Sequence, residues 1–189
     1  MIEKEIEFKN LLDKDDYDKL YEKLELKNIP SVHNANYYYD DSSNNLHLNN
    51  AAIRIRHSES KKEITLKIKG THENIEVNVS LNNDTVLEKL EPRDLPFEIQ
   101  QTLEKYNIKI TTLKLFQQIK TLRKEKHSYN GLIVLDKTTF LNNIIDYELE
   151  FEVKDYNQGK KDFEKLLNDF NIEKNPAEPK IARAVKYQN

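Results

Sequence analysis

Ile145-Asp146-Tyr147-Glu148-Leu149-Glu150-Phe151-Glu152-Val153 alternates without a slip. Apolar and aromatic residues hold the odd positions, and carboxylates hold every even one. A period of two puts the first set on one face of a β-strand and the second set on the other. The pattern recurs through the chain. Residues 2–9 set Ile2, Ile6 and Phe8 against Glu3, Glu5, Glu7 and Lys9. Residues 51–57 set Ile53 and Ile55 against Arg54 and Arg56. Residues 63–69 set Ile64, Leu66 and Ile68 against Thr65, Lys67 and Lys69, and residues 75–81 set Ile75, Val77, Val79 and Leu81 against Glu76, Asn78 and Ser80. Further strands are expected at about 33–40, 113–128 and 132–140. The last two flank Tyr129-Asn130-Gly131, and Asn-Gly is a strong hairpin signal. The expected total is about eight strands, mostly joined as a meander.

Helical spacing separates some of these strands. Tyr17, Leu20, Tyr21 and Leu24 follow i, i+3, i+4, i+7 behind a run of acidic residues suited to a helix start. They read as core against the outside of the sheet. Phe97, Leu103 and Tyr106 mark a second helix, with Pro96 near its first turn. Phe163, Leu166, Leu167 and Phe170 mark a third. Pro179 opens a short last helix at about 180–187 that carries Lys180 and Arg183 on one face.

The polar face is the unusual part. Same-face neighbours on a strand lie roughly 6–7 Å apart. Arg54 therefore repels Arg56, and Glu148, Glu150 and Glu152 repel one another. Such clusters are costly unless an ion or ligand compensates them. If the strands close into a barrel with the apolar face outward beneath helices, the charged face lines the interior. Lys9, Arg54, Arg56, Lys67, Lys69 and Arg123, joined by Lys180 and Arg183, suit a polyphosphate, since Arg gives bidentate contacts and Lys a point charge. Glu5, Glu7, Asp136, Glu148, Glu150 and Glu152 suit a hard divalent cation. Together they read as a metal–polyphosphate site.

Composition closes other routes. Thirty basic and 33 acidic residues leave a formal net charge of −3, which argues against general binding of a nucleic-acid polymer. The chain has no Cys and only 3 Gly, so disulfides, thiolate metal sites, a Cys nucleophile and a Gly-rich phosphate loop are excluded. No run of apolar residues is long enough for a transmembrane helix. The charged start, Met1-Ile2-Glu3-Lys4-Glu5, is no signal peptide, so the expected location is the cytoplasm, and Asn83-Asp84-Thr85 is a chance match to a glycosylation site. The five His, at 33, 47, 57, 72 and 127, make no metal-binding pair. Tyr37, Tyr38 and Tyr39 split between two faces and read as packing rather than a base-stacking platform. Lys120, Lys124 and Lys126 fall on the other parity from Arg123 and read as a solvated face. Glu3 reads as a residue of the tunnel mouth.

The charged residues also carry a resemblance. Glu5-Ile6-Glu7-Phe8-Lys9 matches the E-x-E-x-K signature of the CYTH superfamily, the triphosphate tunnel metalloenzymes. Tyr38-Tyr39-Asp40 matches its Y-[YF]-D element, Arg54-Ile55-Arg56 its R-x-R, and Lys67-Ile68-Lys69-Gly70 its K-x-K strand. Arg123, Asp136, Glu148-Leu149-Glu150-Phe151-Glu152 and Pro179-Lys180-Ile181-Ala182-Arg183 follow in the family's order. The chain most resembles the short, single-domain members from Gram-positive bacteria. The resemblance implies an α+β, mainly β fold: an eight-stranded antiparallel β-barrel, or tunnel, with helices packed outside, and one domain over residues 1–189. It implies a triphosphate-bearing small molecule as partner, Mg²⁺ or Mn²⁺ as cofactor, and a monomer or homodimer.

On that basis the expected activity is a metal-dependent triphosphatase. Glu5, Glu7, Glu148 and Glu150 would hold one Mg²⁺ or Mn²⁺. Lys9, Arg54, Arg56, Lys67, Lys69, Arg123 and Arg183 would clamp phosphates. Asp136 and Glu152 would place a second metal and the attacking water. Lys180 would take or guide a proton, its pKa lowered among so many cations. One alternative is an adenylate cyclase, which uses the same clamp with a ribose hydroxyl as nucleophile, although no base-reading set stands out. The other is a non-catalytic receptor for a phosphorylated nucleotide signal, which would not need the acidic set. The weak point on the polar face is Asn78, uncharged where a charged residue is expected.

Overall fold

The computed structural model describes residues 2–82 and 86–187, with side chains except those of Ile2, Glu3 and Asn142. Met1, the Glu3 side chain and Asn83-Asp84-Thr85 therefore lie outside the described residues. Nine strands are present: β1 (Ile2–Leu12), β2 (Val32–Asp40), β3 (Ala51–His57), β4 (Lys62–Ile68), β5 (Asn74–Ser80), β6 (Lys89–Leu90), β7 (Leu113–Ser128), β8 (Gly131–Thr139) and β9 (Ile145–Val153). They are hydrogen-bonded in the order β2-β3-β4-β5-β1-β9-β8-β7-β6, and β2 also pairs with β7. The second pairing closes eight strands into an antiparallel β-barrel with the helices outside, and leaves β6 as an extra strand on the β7 edge. Five helices complete the fold: α1 (Lys14–Lys23), α2 (Asn45–Leu48), α3 (Phe97–Lys105), α4 (Tyr156–Asp169) and α5 (Lys180–Lys186). None is long and apolar enough to cross a membrane.

The chain divides into two compact units. One comprises residues 1–4 and 35–118, the other residues 5–34 and 119–189. In the first, Ile53, Ile55, Leu66 and Val77 pack with Leu95, Ile99 and Leu103 beneath α3. The buried side of α3 is Ile99, Thr102 and Leu103, whereas Phe97 and Tyr106, expected to mark the helix core, are exposed. Tyr39 is buried and its hydroxyl donates to the carbonyl of Leu87 at 2.8 Å. In the second unit, Ile133, Leu135, Leu149 and Phe151 pack with Leu20 of α1 and Phe163, Leu166 and Leu167 of α4. Each such buried side chain contributes about 1.5–3 kcal/mol relative to exposure. Ile133, Leu135, Leu149 and Phe151 thus face α1 and α4, and the alternate residues Val134, Asp136, Glu148 and Glu150 lie on the other face of their strands.

Local chemistry fixes the element ends. Asp13 caps α1 by accepting from the Asp16 amide at 2.8 Å, and Asp155 caps α4 by accepting from that of Gln158 at 2.7 Å. At the far end of α1, Lys126 donates to the Leu24 carbonyl at 2.6 Å, Lys124 donates to that of Ile29, and the Lys124 ammonium sits 5.6 Å from the Tyr21 ring centre. The expected solvated face is thus corrected for these two lysines. Their parity does point away from Arg123, but a helix end with unpaired carbonyls lies there and takes the cations. Lys120 is exposed as expected. The β7–β8 turn places Tyr129 (φ 53°) and Asn130 (φ 62°) in the left-handed region. Gly131 already pairs with Ser128 in the ladder. Its glycine is required by space, since a Cβ there would come within 2.5 Å of the Phe151 ring.

Asp40 and Asp41 organise the loop after β2. Asp40 accepts from the amides of Leu46 and His47, both at 3.0 Å, holding α2. Asp41 is buried and accepts from the amides of Ser43 (3.0 Å), Asn45 (3.0 Å) and Thr111 (2.9 Å). Burial alone would raise its carboxyl, but these bonds outweigh burial and hold it at about 2. The folded value lies below the unfolded one, so the stabilisation is complete above the ordinary carboxylate range and is lost as pH falls through about 2. Asp41→Ala should cost about 2–3 kcal/mol at pH 7, with three backbone donors losing their acceptor. Denaturant melts of both proteins should converge as the pH falls from 4 towards 2.

Candidate active site

In the second unit the polar face of β1, β7, β8 and β9 forms one charge network. Cross-strand register sets Lys9 opposite Glu150, Glu7 opposite Glu152, Asp136 opposite Glu148, and Arg123 opposite Asp136. Arg123 makes a bidentate pair with Asp136, Nε at 2.9 Å and Nη2 at 2.7 Å, and also reaches Glu150 at 2.7 Å. Lys9 lies 3.0 Å from Glu7 and 3.1 Å from Glu150. From α5, Lys180 Nζ stands 2.9 Å from Asp136, 2.8 Å from Glu148 and 2.6 Å from Glu150.

This geometry reverses the expected pKa direction of Lys180 and shows what Asp136 and Arg183 are paired with. Lys180 is not lowered. Burial pushes it down, but Asp136, Glu150 and Glu148 more than reverse this and hold its pKa above the ordinary lysine value. These three carboxylates favour its ammonium form. Asp136 is fully buried, with Oδ1 accepting from Arg123 Nε and Oδ2 shared by Arg123 Nη2 and Lys180. Its carboxyl is lowered against burial by Arg123 and Lys180. Arg183 is buried and holds Asp146 at 2.7 Å, Glu148 at 2.5 Å and the Glu178 carbonyl. It anchors α5 to β9 and does not reach an open surface, so no phosphate contact is assigned to it.

The carboxyls are unevenly held. Burial would raise Glu150, but Lys180, Lys9 and Arg123 hold it well below its ordinary value. Glu148 is pushed up to about 7 by burial, against Lys180, and by the charge of Glu150. Glu152 is also pushed up to about 7, by burial and by Glu5, with further contributions from Glu150 and Glu7. Negative charge is thus in surplus around Glu5, Glu7 and Glu152. Oxygen donors with surplus charge fit a hard divalent cation. Among the described residues, however, no three acidic or histidine side chains already stand as a metal cage. The point where Asp136, Glu148 and Glu150 converge holds the Lys180 ammonium.

In the first unit three cross-strand rows carry the other expected cations. Asn36, Arg56 and Glu63 lie opposite one another, as do Tyr38, Arg54, Thr65 and Asn78, and Lys67 with Glu76. Arg56 donates to Asn36 Oδ1 at 3.0 Å and lies 3.8 Å from Glu63. Lys67 lies 3.1 Å from Glu76. Lys69, expected in the clamp, is exposed beyond the end of β4 at Ile68. The buried Glu63 was not anticipated, although it shares parity with Thr65 and Lys67 in the sequence. Each unit thus gathers its own charged residues, Glu5, Glu7, Lys9, Arg123, Asp136, Glu148, Glu150, Glu152, Lys180 and Arg183 in one and Arg54, Arg56 and Lys67 in the other.

A closed antiparallel barrel with helices outside, carrying interlaced carboxylates and cations on its polar strand faces, matches a known class. The CYTH domain family model matches residues 3–185, and the chain belongs to that family. It is 35% identical over 179 residues to the Bacillus subtilis (strain 168) protein named "Putative triphosphatase YjbK", covering 95% of this chain and 93% of that one. A crystal structure from Bacillus halodurans described as "a putative adenylate cyclase" superposes with a TM-score of 0.85 at 28% identity, covering 96% and 97% of the two chains. HpAC1 from Hippeastrum, described as a "putative adenylyl cyclase" with dominant triphosphatase activity, shares the fold at a TM-score of 0.75 and 15% identity, over 97% and 96% of the chains.

Removing one partner from a buried ion cluster leaves the others uncompensated, at a cost of about 3–5 kcal/mol. Lys180→Met should lose stability of that order at pH 8. Its carboxyls would rise in pKa, so the loss should be smaller at pH 5, where protons replace the ammonium. Thermal melts across pH check both the size and the direction.

Proposed function

We propose that this protein is a metal-dependent phosphohydrolase acting on inorganic triphosphate or another triphosphate-bearing small molecule. The observation that carries the reading is the surplus of carboxylate beside bound cations in the second unit. Anion binding alone needs Lys9 and Arg123 and gains nothing from Glu5, Glu7 and Glu152. The Glu152 carboxyl, pushed up by burial and by Glu5, marks a place where a further cation would be favourable. The name carried by the Bacillus subtilis relative agrees with this reading.

Glu5 and Glu7, with Glu148 and Glu150, would hold a divalent cation, Mg²⁺ or Mn²⁺ by the hardness of the oxygen donors. Such an ion supplies charge neutralisation and a more acidic water. The chain's own residues do the rest. Lys9 and Arg123 in one unit, and Arg54, Arg56 and Lys67 in the other, are assigned phosphate contacts, each on its own geometry. Asp136 fixes the Arg123 guanidinium. Lys180 stays protonated and offsets the charge of Glu148 and Glu150. Glu152, which titrates near neutrality, is the group suited to accept a proton at its carboxylate oxygen. The fold is carried as a single domain of a soluble, cytoplasmic enzyme.

The second reading is an adenylate cyclase, favoured by the description of the Bacillus halodurans structure. A product assay separates the two. Purified protein is given inorganic triphosphate, ATP or thiamine triphosphate with Mg²⁺ or Mn²⁺, and orthophosphate and cyclic AMP are measured. Orthophosphate release that stops with chelator is expected. Glu7→Gln should lower turnover about a hundredfold or more while its melting temperature stays near wild type, since the residue is not core. Cyclic AMP as the main product from ATP would replace the hydrolase reading. Unchanged turnover in chelator would remove the metal.

A further inference from the structure

Arg54 differs from the other strand cations of its unit. Arg56 and Lys67 each face a carboxylate directly across the ladder, Glu63 and Glu76 respectively. The row through Arg54 contains Tyr38, Thr65 and Asn78, and no acid. Arg54 Nη2 lies 3.4 Å from the Thr65 hydroxyl. That hydroxyl donates to Asn78 Oδ1 at 2.8 Å. Asn78 in turn hydrogen-bonds to Glu76, whose carboxyl is lowered by Lys67 and Arg54 in spite of burial. The polarity of this chain is consistent from end to end. The guanidinium donates to the hydroxyl, the hydroxyl to the amide oxygen, and the amide nitrogen to the carboxylate. Thr65 is buried, so its hydroxyl has few other orientations. Arg54 Nε is buried and, among the described residues, has no hydrogen-bond partner. Buried polar groups are nearly always paired, and one left unpaired at a binding face marks a place for a ligand.

We propose that Thr65 and Asn78 are positioning residues that hold Arg54 with its Nε–H reserved for a phosphoryl oxygen of a polyphosphate. Asn78 acts as a neutral spacer. It lets Glu76 orient the row through an amide without forming an ion pair with Arg54. This accounts for an uncharged residue on an otherwise charged face. An aspartate at 78 would place an anion in line with Arg54 and next to Glu76, and would compete with phosphate for the guanidinium. The inference rests on the reading of the site as one for triphosphate.

Binding can be measured without turnover. Inorganic tripolyphosphate is titrated into the full-length protein by calorimetry in the presence of chelator, and KM and kcat are measured separately with Mg²⁺. Thr65→Val should weaken tripolyphosphate binding about tenfold and raise KM by a similar factor, with kcat changed less than about threefold. Thr65→Ser keeps the hydroxyl and should restore binding to near wild type. Asn78→Asp should weaken binding more than Asn78→Ala does, because it adds a competing anion. A structural role would instead show as equal losses in Thr65→Val and Thr65→Ser, tracking the melting temperature. That result, or wild-type binding by Thr65→Val, overturns the proposal. If the wild type binds tripolyphosphate and does not hydrolyse it, the hydrolase reading fails and the dissociation constants still decide the row. If the wild type binds no polyphosphate, both fall.

Discussion

A carboxylate out of water must be matched by a cation or by hydrogen-bond donors, or take up a proton. The second unit meets that requirement at Asp136, which has no exposed surface and spends both oxygens on Arg123 and Lys180. The rest of the network follows from it. Arg123, fixed by Asp136, brings its remaining nitrogen to Glu150. Glu150 is then so well supplied with positive charge that it stays ionised, and its neighbour Glu148 bears the electrostatic penalty. α5 is tied to β9 by the same requirement, through Lys180 and Arg183, more than by an apolar stripe. Of its residues only Arg183 and Ala184 are buried.

Glu152 shows what happens where matching stops. It faces Glu7 across the ladder, and burial and the charge of Glu5 outweigh Arg123 and push its carboxyl up to about 7. A group that can exist in either state near neutral pH is a poor structural element and a good chemical one.

Much of the fold was legible because the strands state their faces residue by residue. Ile145–Val153 and the stretches around Arg54 and Glu76 predicted both the strands and the side that meets the helices. The alternation could not show α2, a single turn with no apolar period, which exists because the side chains of Asp40 and Asp41 supply its hydrogen bonds. Nor could it show β6, two residues long. Among the charged residues, alternation identified the polar face correctly but not the depth of each side chain. Arg183 and Asp136 were legible as members of the set, yet their burial in ion pairs depends on where α5 docks, a long-range fact. Lys124 and Lys126 failed for a similar reason, since what lies over an outward-facing strand residue is decided by a helix a hundred residues earlier in the chain. Lys69 lies one residue past the end of β4 and is exposed.

The order of these residues along the chain has a consequence for its synthesis. The carboxylates of Asp136, Glu148 and Glu150 precede Lys180, and the Glu148–Lys180 pair spans 32 positions. A growing chain emerges N-terminus first and folds in that order. Strands β8 and β9 are thus available to pair, through a short connection, before the ammonium that matches them exists outside the ribosome. In that interval the hairpin can bury its acidic face only as far as Lys9 and Arg123, made earlier, can neutralise it, or by taking up protons. The ammonium of α5 can therefore join the acidic face of β8 and β9 only after both strands have been made.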